Sequence, residues 1–140
     1  MEYLKENNVY LVRIDRGEDL MSSLSNLAIE EQLQSGSVTG IGALEKIKLG
    51  FYHLDTKTYD SKVFEGEYEL LSLSGNLSFM ENAPFFHLHA QLSGADYSCI
   101  GGHLFEATVA VTCEIYLTCN NFAPTRTLDS EVGLNTLSFK

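Results

Sequence analysis

The sequence predicts an α+β domain in which a largely antiparallel β-sheet is packed by an amphipathic helix near the N-terminus. One early segment repeats its apolar residues with the 3.6-residue period of a helix. Most other apolar residues alternate with polar ones, which is the period of a half-buried strand. The chain has 140 residues, of which 44% are hydrophobic. We therefore expect one domain spanning residues 1–140 around a single core.

The first two predicted elements are a short strand and the helix. A strand is predicted from Asn8 to Ile14, because this run is rich in β-branched and aromatic residues and is followed by turn-forming residues. The helix is predicted from Asp19 to Gln34, with Asp19 as its N-cap. Its apolar face consists of Leu20, Leu24, Leu27 and Ala28.

After Gly40 and Gly42 the apolar residues alternate, and this alternation predicts further strands. Their inward-facing residues are predicted to be Ile47, Leu49 and Phe51; Leu71, Leu73, Gly75, Leu77 and Phe79; Phe86, Leu88, Ala90 and Leu92; and Val109, Val111, Cys113, Ile115, Leu117 and Cys119. Residues Thr125 to Lys140 are predicted to form a closing strand or a docked arm.

The opposite faces of these strands carry serine and threonine rather than many lysine or glutamate residues. Another subunit can cover a face of small, uncharged polar side chains, so oligomerisation is one interpretation. A solvated sheet face is the other.

The net charge and the cysteine count indicate which partners and which cellular compartment to expect for this protein. Nineteen acidic residues against nine basic ones give a net charge of -10, which disfavours broad contact with a nucleic-acid backbone. No run approaches the ~20 apolar residues of a membrane span, and no signal peptide is evident, so no membrane partner is expected. The three cysteines lack paired spacing. This usage predicts a cytoplasmic, reducing compartment.

Three of the four histidines are close in the sequence. His87 and His89 point to the same face of a predicted strand, so their imidazoles can chelate one ion. His103 follows Gly101 and Gly102, a predicted turn that would let its imidazole reach the pair. The alternative is that these histidines are polar residues that hydrogen-bond to neighbours or to water.

Three imidazoles would favour Zn²⁺, with another divalent transition metal as the alternative, and would leave a coordination position open. Glu106 and Glu114 follow His103 and are the candidate catalytic carboxylates for proton transfer. The alternative for each is a solvated or salt-bridged glutamate. The sequence has no nucleophile elbow, phosphate loop or complete dinucleotide fingerprint, so no nucleotide chemistry is predicted.

These segments, taken in order, resemble the PPC (plants and prokaryotes conserved) domain. The resemblance extends from Tyr10 to Phe139 and rests on Gly40-Ile41-Gly42-Ala43, Gly66-Glu67-Tyr68-Glu69-Leu70-Leu71-Ser72-Leu73-Ser74-Gly75, His87-Leu88-His89-Ala90 and Gly101-Gly102-His103-Leu104. It implies an α+β subunit assembled as a homotrimer. It also implies that His87, His89 and His103 bind a metal, usually zinc.

Plant members of that family carry an AT-hook before the domain, and prokaryotic members carry a DNA-binding label through that association. This sequence contains no Arg-Gly-Arg-Pro-like element. The fold is also similar to that of acetolactate decarboxylase, whose zinc is held by an H-x-H pair and a later histidine.

The sequence leads to three hypotheses. The first is a stand-alone PPC-domain protein, a metal-binding homotrimer that acts as a regulatory or binding module for an unknown protein or small-molecule ligand. The alternative is a zinc-dependent lyase or hydrolase acting on a small oxyacid, with Glu106 or Glu114 moving a proton. The third, direct DNA binding, rests only on the family label and is disfavoured by the net charge.

Overall fold

The computed structural model describes residues 1–139, which form eight strands and one helix. In chain order these are β1 (Glu2–Glu6), β2 (Val9–Asp15), α1 (Leu20–Glu30), β3 (Ser35–His53), β4 (Thr58–Met80), β5 (Ala83–Ser93), β6 (Cys99–Asn120), β7 (Thr125–Asp129) and β8 (Leu134–Ser138). The sheet is mostly antiparallel and the helix is short, which confirms the predicted combination of elements. Within these residues no helix has the length and apolar character needed to cross a bilayer.

Strand β5 closes the sheet on itself. The strands follow the order β1-β2-β6-β3-β4-β7-β8, and β5 pairs with both β4 and β6. Because β3 also pairs with β4 and β6, these four strands form a closed ring of antiparallel ladders. The closure places β5 directly beside β6, and these two strands carry the three clustered histidines.

Helix α1 begins directly after its predicted N-cap. The Asp19 carboxylate accepts a hydrogen bond from the backbone amide of Ser22 at 2.7 Å, as predicted. The helix ends at Glu30, earlier than expected, and Gln32 just beyond it has a left-handed backbone with φ of 54° that a right-handed helix cannot contain. The predicted apolar face is buried and belongs to the same core cluster as the inward-facing strand residues: Leu20, Leu24, Leu27 and Ala28.

Alternation predicts most of the core correctly and fails at three residues, two of them beside bulges. Leu71 and Val111 are 48% and 61% exposed, although both were predicted to face inward. The β4–β5 register shifts between Leu70 and Ser72, and the β3–β6 register shifts near Val111. A bulge inserts an extra residue, and side chains on either side of it then change faces. Phe51, also predicted to face inward, is 68% exposed. It lies near the end of the β3–β4 hairpin, where almost every residue from 51 to 63 is exposed and neither face is covered by the core.

The cysteines behave as the alternation predicts. Cys113 and Cys119 are buried in the core, whereas Cys99 is exposed. Burial raises the pKa of the Cys113 thiol to about 12, so this thiol stays protonated and packs as a small apolar group.

The two glycine pairs lie inside strands, which corrects the turn predicted at Gly101 and Gly102. Gly40 and Gly42 belong to β3, and Gly101 and Gly102 belong to β6 rather than to a turn. A Cβ atom on Gly101 would lie 2.9 Å from the Ala90 carbonyl oxygen, so glycine here permits close strand approach.

The two ends of the chain add strands at the sheet edges. Strand β1 pairs with β2 and was not predicted, because its charged residues hide the alternation. At the C-terminal end, β7 and β8 form an antiparallel hairpin, so the closing segment is a pair of strands. The hairpin meets β4 through a parallel pairing of Phe79 with Thr125.

Replacing Gly75 with alanine is expected to weaken the β4–β5 ladder. A Cβ at this position would lie 1.9 Å from the carbonyl oxygen of His87, and backbone atoms cannot move aside without separating the strands. We expect Gly75→Ala to lower the free energy of unfolding by about 1–3 kcal/mol, measured by urea denaturation. The neighbouring exposed Ser74→Ala serves as the control. Equal stability of the two variants would contradict this packing.

Candidate metal centre

The three clustered histidines lie on two adjacent strands. His87 and His89 project from the same face of β5, and His89 is the direct cross-strand partner of His103 on β6. The ring centroids are 5.2 Å apart for His87 and His89, 5.1 Å for His87 and His103, and 5.5 Å for His89 and His103. One ring nitrogen from each lies within 4.8 Å of the other two. The structure thus brings all three histidines to one point.

Glycines let the neighbouring backbones approach this point. A Cβ on Gly102 would lie 2.8 Å from the carbonyl oxygen of Gly50, on the β3 side of β6. On the other side of β6, the absence of a Cβ at Gly101 lets β5 approach closely at Ala90. The Gly101–Gly102 pair therefore allows β6, the strand that carries His103, to pack closely between β3 and β5.

The imidazole of His103 is partly buried. Its Nδ1 is buried and has no hydrogen-bond partner among the described residues. Burial, together with the nearby His87 and His89, lowers the pKa of His103 to about 4. The ring is consequently neutral near pH 7 and can donate a lone pair. A buried polar atom without a partner is unfavourable, and a metal ion bound to it would remove that penalty.

This unpaired nitrogen shows that the residues present fit a metal ion. The donors are neutral imidazoles, which suit Zn²⁺ and its divalent neighbours. Their mutual spacing is short enough for one ion to reach all three. His89 is exposed, which leaves one side of the cluster open to a ligand.

His87 lies beside a guanidinium group that the sequence did not point to. Arg126, on β7, places Nη2 3.5 Å from Nδ1 of His87. Burial lowers the pKa of His87, and the positive charge of Arg126 lowers it further. Both effects favour the neutral, metal-binding form of the ring.

Aromatic side chains flank His103. The ring centroid of Phe105 lies 4.7 Å from that of His103, and the centroid of Tyr59 lies 5.2 Å away. Phe105 could have been found from the sequence, since it lies two residues from His103 on the same strand. Tyr59 and Arg126 come from distant parts of the chain, and no local pattern marks them.

A cleft of about 310 Å³ opens beside the cluster. His87 and His103 line it together with one cation, Arg126. Most of the other lining side chains are apolar and include Met80, Phe85 and Leu134. The site therefore combines ligand-capable nitrogens with space for a small molecule.

The structure does not bring the candidate carboxylates into this cluster. Glu106 has a 66% exposed side chain whose Oε1 lies 3.5 Å from Nζ of Lys48, so it is a solvated, ion-paired glutamate. Glu114 is exposed much further along β6, where it pairs across the strands with Arg13 and Ile41. Neither residue lines the cleft.

The chain belongs to the Plants and Prokaryotes Conserved (PCC) domain family, whose sequence profile matches residues 1–120. This match confirms the resemblance stated from the sequence. Among curated proteins, the chain is 33% identical over 111 residues to the bifunctional protein GlmU of Synechococcus. That alignment covers 78% of this chain but only 16% of GlmU, so the chain spans a small part of that relative's length.

Solved structures share this fold over almost the whole chain. A "putative DNA binding protein" from Bacteroides thetaiotaomicron is 33% identical, with a TM-score of 0.95, over 99% of this chain and 96% of its own. A metal-containing protein from Archaeoglobus fulgidus is 34% identical, with a TM-score of 0.88, over 98% and 96%. The α-acetolactate decarboxylase of Bacillus subtilis shares the fold alone, at 13% identity and a TM-score of 0.56 over 90% and 58%.

The stability of the metal-free protein is expected to fall as the pH is lowered from 6.5 towards about 4. The pKa of His103 is about 4 in the folded protein against 6.5 for an ordinary histidine. Over this interval the unfolded chain binds a proton that the folded chain excludes, so acid favours unfolding. Urea denaturation in the presence of a chelator, at a series of pH values, measures the effect.

The variant His103→Asn should show a shallower loss of stability over the same pH interval. His53→Asn, a change at an exposed histidine outside the cluster, should retain the wild-type slope. Identical slopes for wild type and His103→Asn would show that this imidazole is not excluded from protonation by the fold.

Proposed function

We propose that this protein is a metal-binding homotrimer that acts as a regulatory or binding module, with His87, His89 and His103 holding Zn²⁺ or another divalent transition metal. The observation that carries the proposal is the buried, unpartnered Nδ1 of His103 within a cluster of three imidazoles. The metal-containing relative from Archaeoglobus fulgidus, similar over nearly the whole chain, supports it.

Three imidazole ligands would hold the ion and leave a position for a further ligand atom. When bound, the metal would supply a Lewis-acid centre beside the cleft. The protein's own contribution is to keep the three rings neutral and to shield one side of the site with Phe105 and Tyr59. This arrangement suits the sensing of a small molecule.

The outer face of the sheet supports a homotrimer. Leu11 and Tyr116 are cross-strand partners and are 38% and 54% exposed, and Ile41 on the adjacent strand is 57% exposed. Serine and threonine side chains such as Thr39 and Ser74 lie around them. Apolar residues exposed together on a sheet face favour coverage by another copy of the chain, and the neighbouring Arg13 and Glu114, which carry opposite charges, are cross-strand partners of each other.

Duplex DNA fits the chain poorly as the partner. Two relatives carry a DNA-binding description, but this chain has a net charge of -10. Binding to a phosphate backbone requires a surface with several unpaired cations. Three of the nine basic residues, Lys5, Arg13 and Lys48, are in addition paired with carboxylates.

The metal content of the protein tests the proposal. Untagged protein purified without chelator or immobilised-metal resin should contain roughly one metal ion per chain. The variant His87→Ala/His89→Ala/His103→Ala should contain none, because all three ligands are absent. His53→Ala is the matched control and should retain the metal.

Light scattering on the same samples measures the assembly. A trimer mass for the wild type and for the triple variant would show that the metal is bound by a preformed trimer. Dissociation of the triple variant would assign the metal a structural role. Absence of metal from the wild type, or retention by the triple variant, would overturn the metal site, and a monomer mass for the wild type would overturn the trimer.

A second candidate function is a zinc-dependent lyase or hydrolase acting on a small oxyacid. The observation that favours it is the cleft beside the three histidines. Glu106 and Glu114 do not line that cleft, so proton transfer in this case would need a group other than these carboxylates.

The enzyme hypothesis predicts turnover that depends on the metal. Incubation with a panel of small oxyacids should give product, a chelator should abolish product formation, and added Zn²⁺ should restore it while the mass of the assembly stays constant. The variant Glu106→Gln should keep full activity, because Glu106 is exposed and paired with Lys48. A metal-loaded protein that converts none of the panel would leave the binding module as the function.

A further inference from the structure

Arg126 is a half-buried cation without a carboxylate partner among residues 1–139. Lys48 is the other partly buried cation in these residues, and its Nζ lies 3.5 Å from a carboxylate oxygen of Glu106, whereas the remaining lysine and arginine side chains are exposed. The chain has nineteen acidic residues against nine basic ones, so acidic groups are not scarce. Removing a guanidinium from water without a counter-charge is unfavourable, and a bound anion would offset that penalty.

Neutral groups hold the Arg126 guanidinium in a fixed orientation. Nε donates a hydrogen bond to Oγ of Ser78 at 2.8 Å, and Nη2 donates to Oδ1 of Asn76 at 3.1 Å. The guanidinium carbon lies 4.9 Å from the ring centroid of Phe85, a cation–π contact. These contacts orient the group at the wall of the cleft and do not neutralise it.

The guanidinium also retains donor capacity. Nη1 donates one hydrogen bond, to the carbonyl oxygen of Asn135 at 3.1 Å, although it carries two N–H groups. The second N–H of Nη1 therefore has no acceptor among the described residues. Arg126 and Asn135 both line the cleft, so a ligand in the cleft can reach this donor.

Metal binding would increase the positive charge of the same site. Three neutral imidazoles do not reduce the charge of a divalent ion, and the guanidinium lies 3.5 Å from His87. No carboxylate lines the cleft in the described part of the chain. A cation pair in such a cleft favours an anionic ligand that contacts both. This step rests on the proposed metal site.

We propose that the cleft binds a small carboxylate that bears an apolar group, with Arg126 as the residue that anchors its carboxylate beside the metal. Carboxylate is a good acceptor for a guanidinium N–H. The remaining walls of the cleft are mostly apolar and include Met80, Phe86 and Leu134, which provide contact surface for the apolar group. A volume of about 310 Å³ accommodates a ligand of this size.

Calorimetric titration of the zinc-loaded protein with 3-methylbutanoate tests the assignment. The neutral isostere 3-methylbutanamide should bind roughly tenfold more weakly or worse, because it lacks the charge that pairs with the guanidinium. Inorganic phosphate is titrated in parallel. Tighter binding of phosphate than of 3-methylbutanoate would overturn the assignment to an apolar carboxylate.

Variants of Arg126 locate the binding. Arg126→Gln should weaken 3-methylbutanoate binding roughly tenfold or more, and Arg126→Lys, which keeps the charge, should weaken it less. The exposed Arg16→Gln is the matched control and should bind as the wild type does. Equal affinity of Arg126→Gln and wild type would overturn the proposal.

Zinc content, measured on every sample, separates this inference from the proposed function. One zinc per chain with no carboxylate binding overturns the inference alone. Carboxylate binding that depends on Arg126 in a protein that takes up no zinc overturns the metal site and keeps the anion site. Loss of both overturns both.

Discussion

The pairing of β5 along both of its edges is the constraint on which the rest of the structure depends. It closes the ring of four strands, and it is possible only because neighbouring backbones approach closely at Gly75 and Gly101. The same closure sets the separation of His89 from His103, which are cross-strand partners. The geometry of the imidazole cluster is therefore fixed by backbone hydrogen bonds of the sheet rather than by flexible loops, and such a site is preorganised for an ion.

The electrostatic character of the site is opposite to that of the protein as a whole. The chain carries a net charge of -10, yet Arg126 makes the wall of the cleft positive. An acidic surface repels extended polyanions strongly. A small anion with a single charge is repelled only weakly as it approaches, and the positive wall of the cleft then attracts it. The charge of the whole protein and the charge of the cleft together favour a small anion over an extended polyanion.

The periodicity of the sequence predicted the core more reliably than the strand boundaries. Alternation over Phe86, Leu88, Ala90 and Leu92 identified four buried residues, because one face of β5 packs on the core throughout its length. The method failed at Leu71 and Val111, where bulges shift the side chains, and at Phe51, where the β3–β4 hairpin extends beyond the core. It also failed at Gly101, because a glycine required by close strand packing cannot be told from a turn glycine in the sequence. The H-x-H spacing placed His87 and His89 together from local geometry alone. The position of Arg126 beside His87 could not be predicted, because these residues are far apart in the sequence and only the tertiary fold brings them together.

The hairpin of β7 and β8 lies beyond residues 1–120, the part of the chain that defines the family. The three histidines belong to the family-defining part, whereas the guanidinium beside them comes from the hairpin. The centre is thus divided between the part of the chain that matches the family profile and a C-terminal hairpin that the profile does not reach. A change within that hairpin would therefore alter the cation beside the cleft while the three imidazoles kept their positions on β5 and β6.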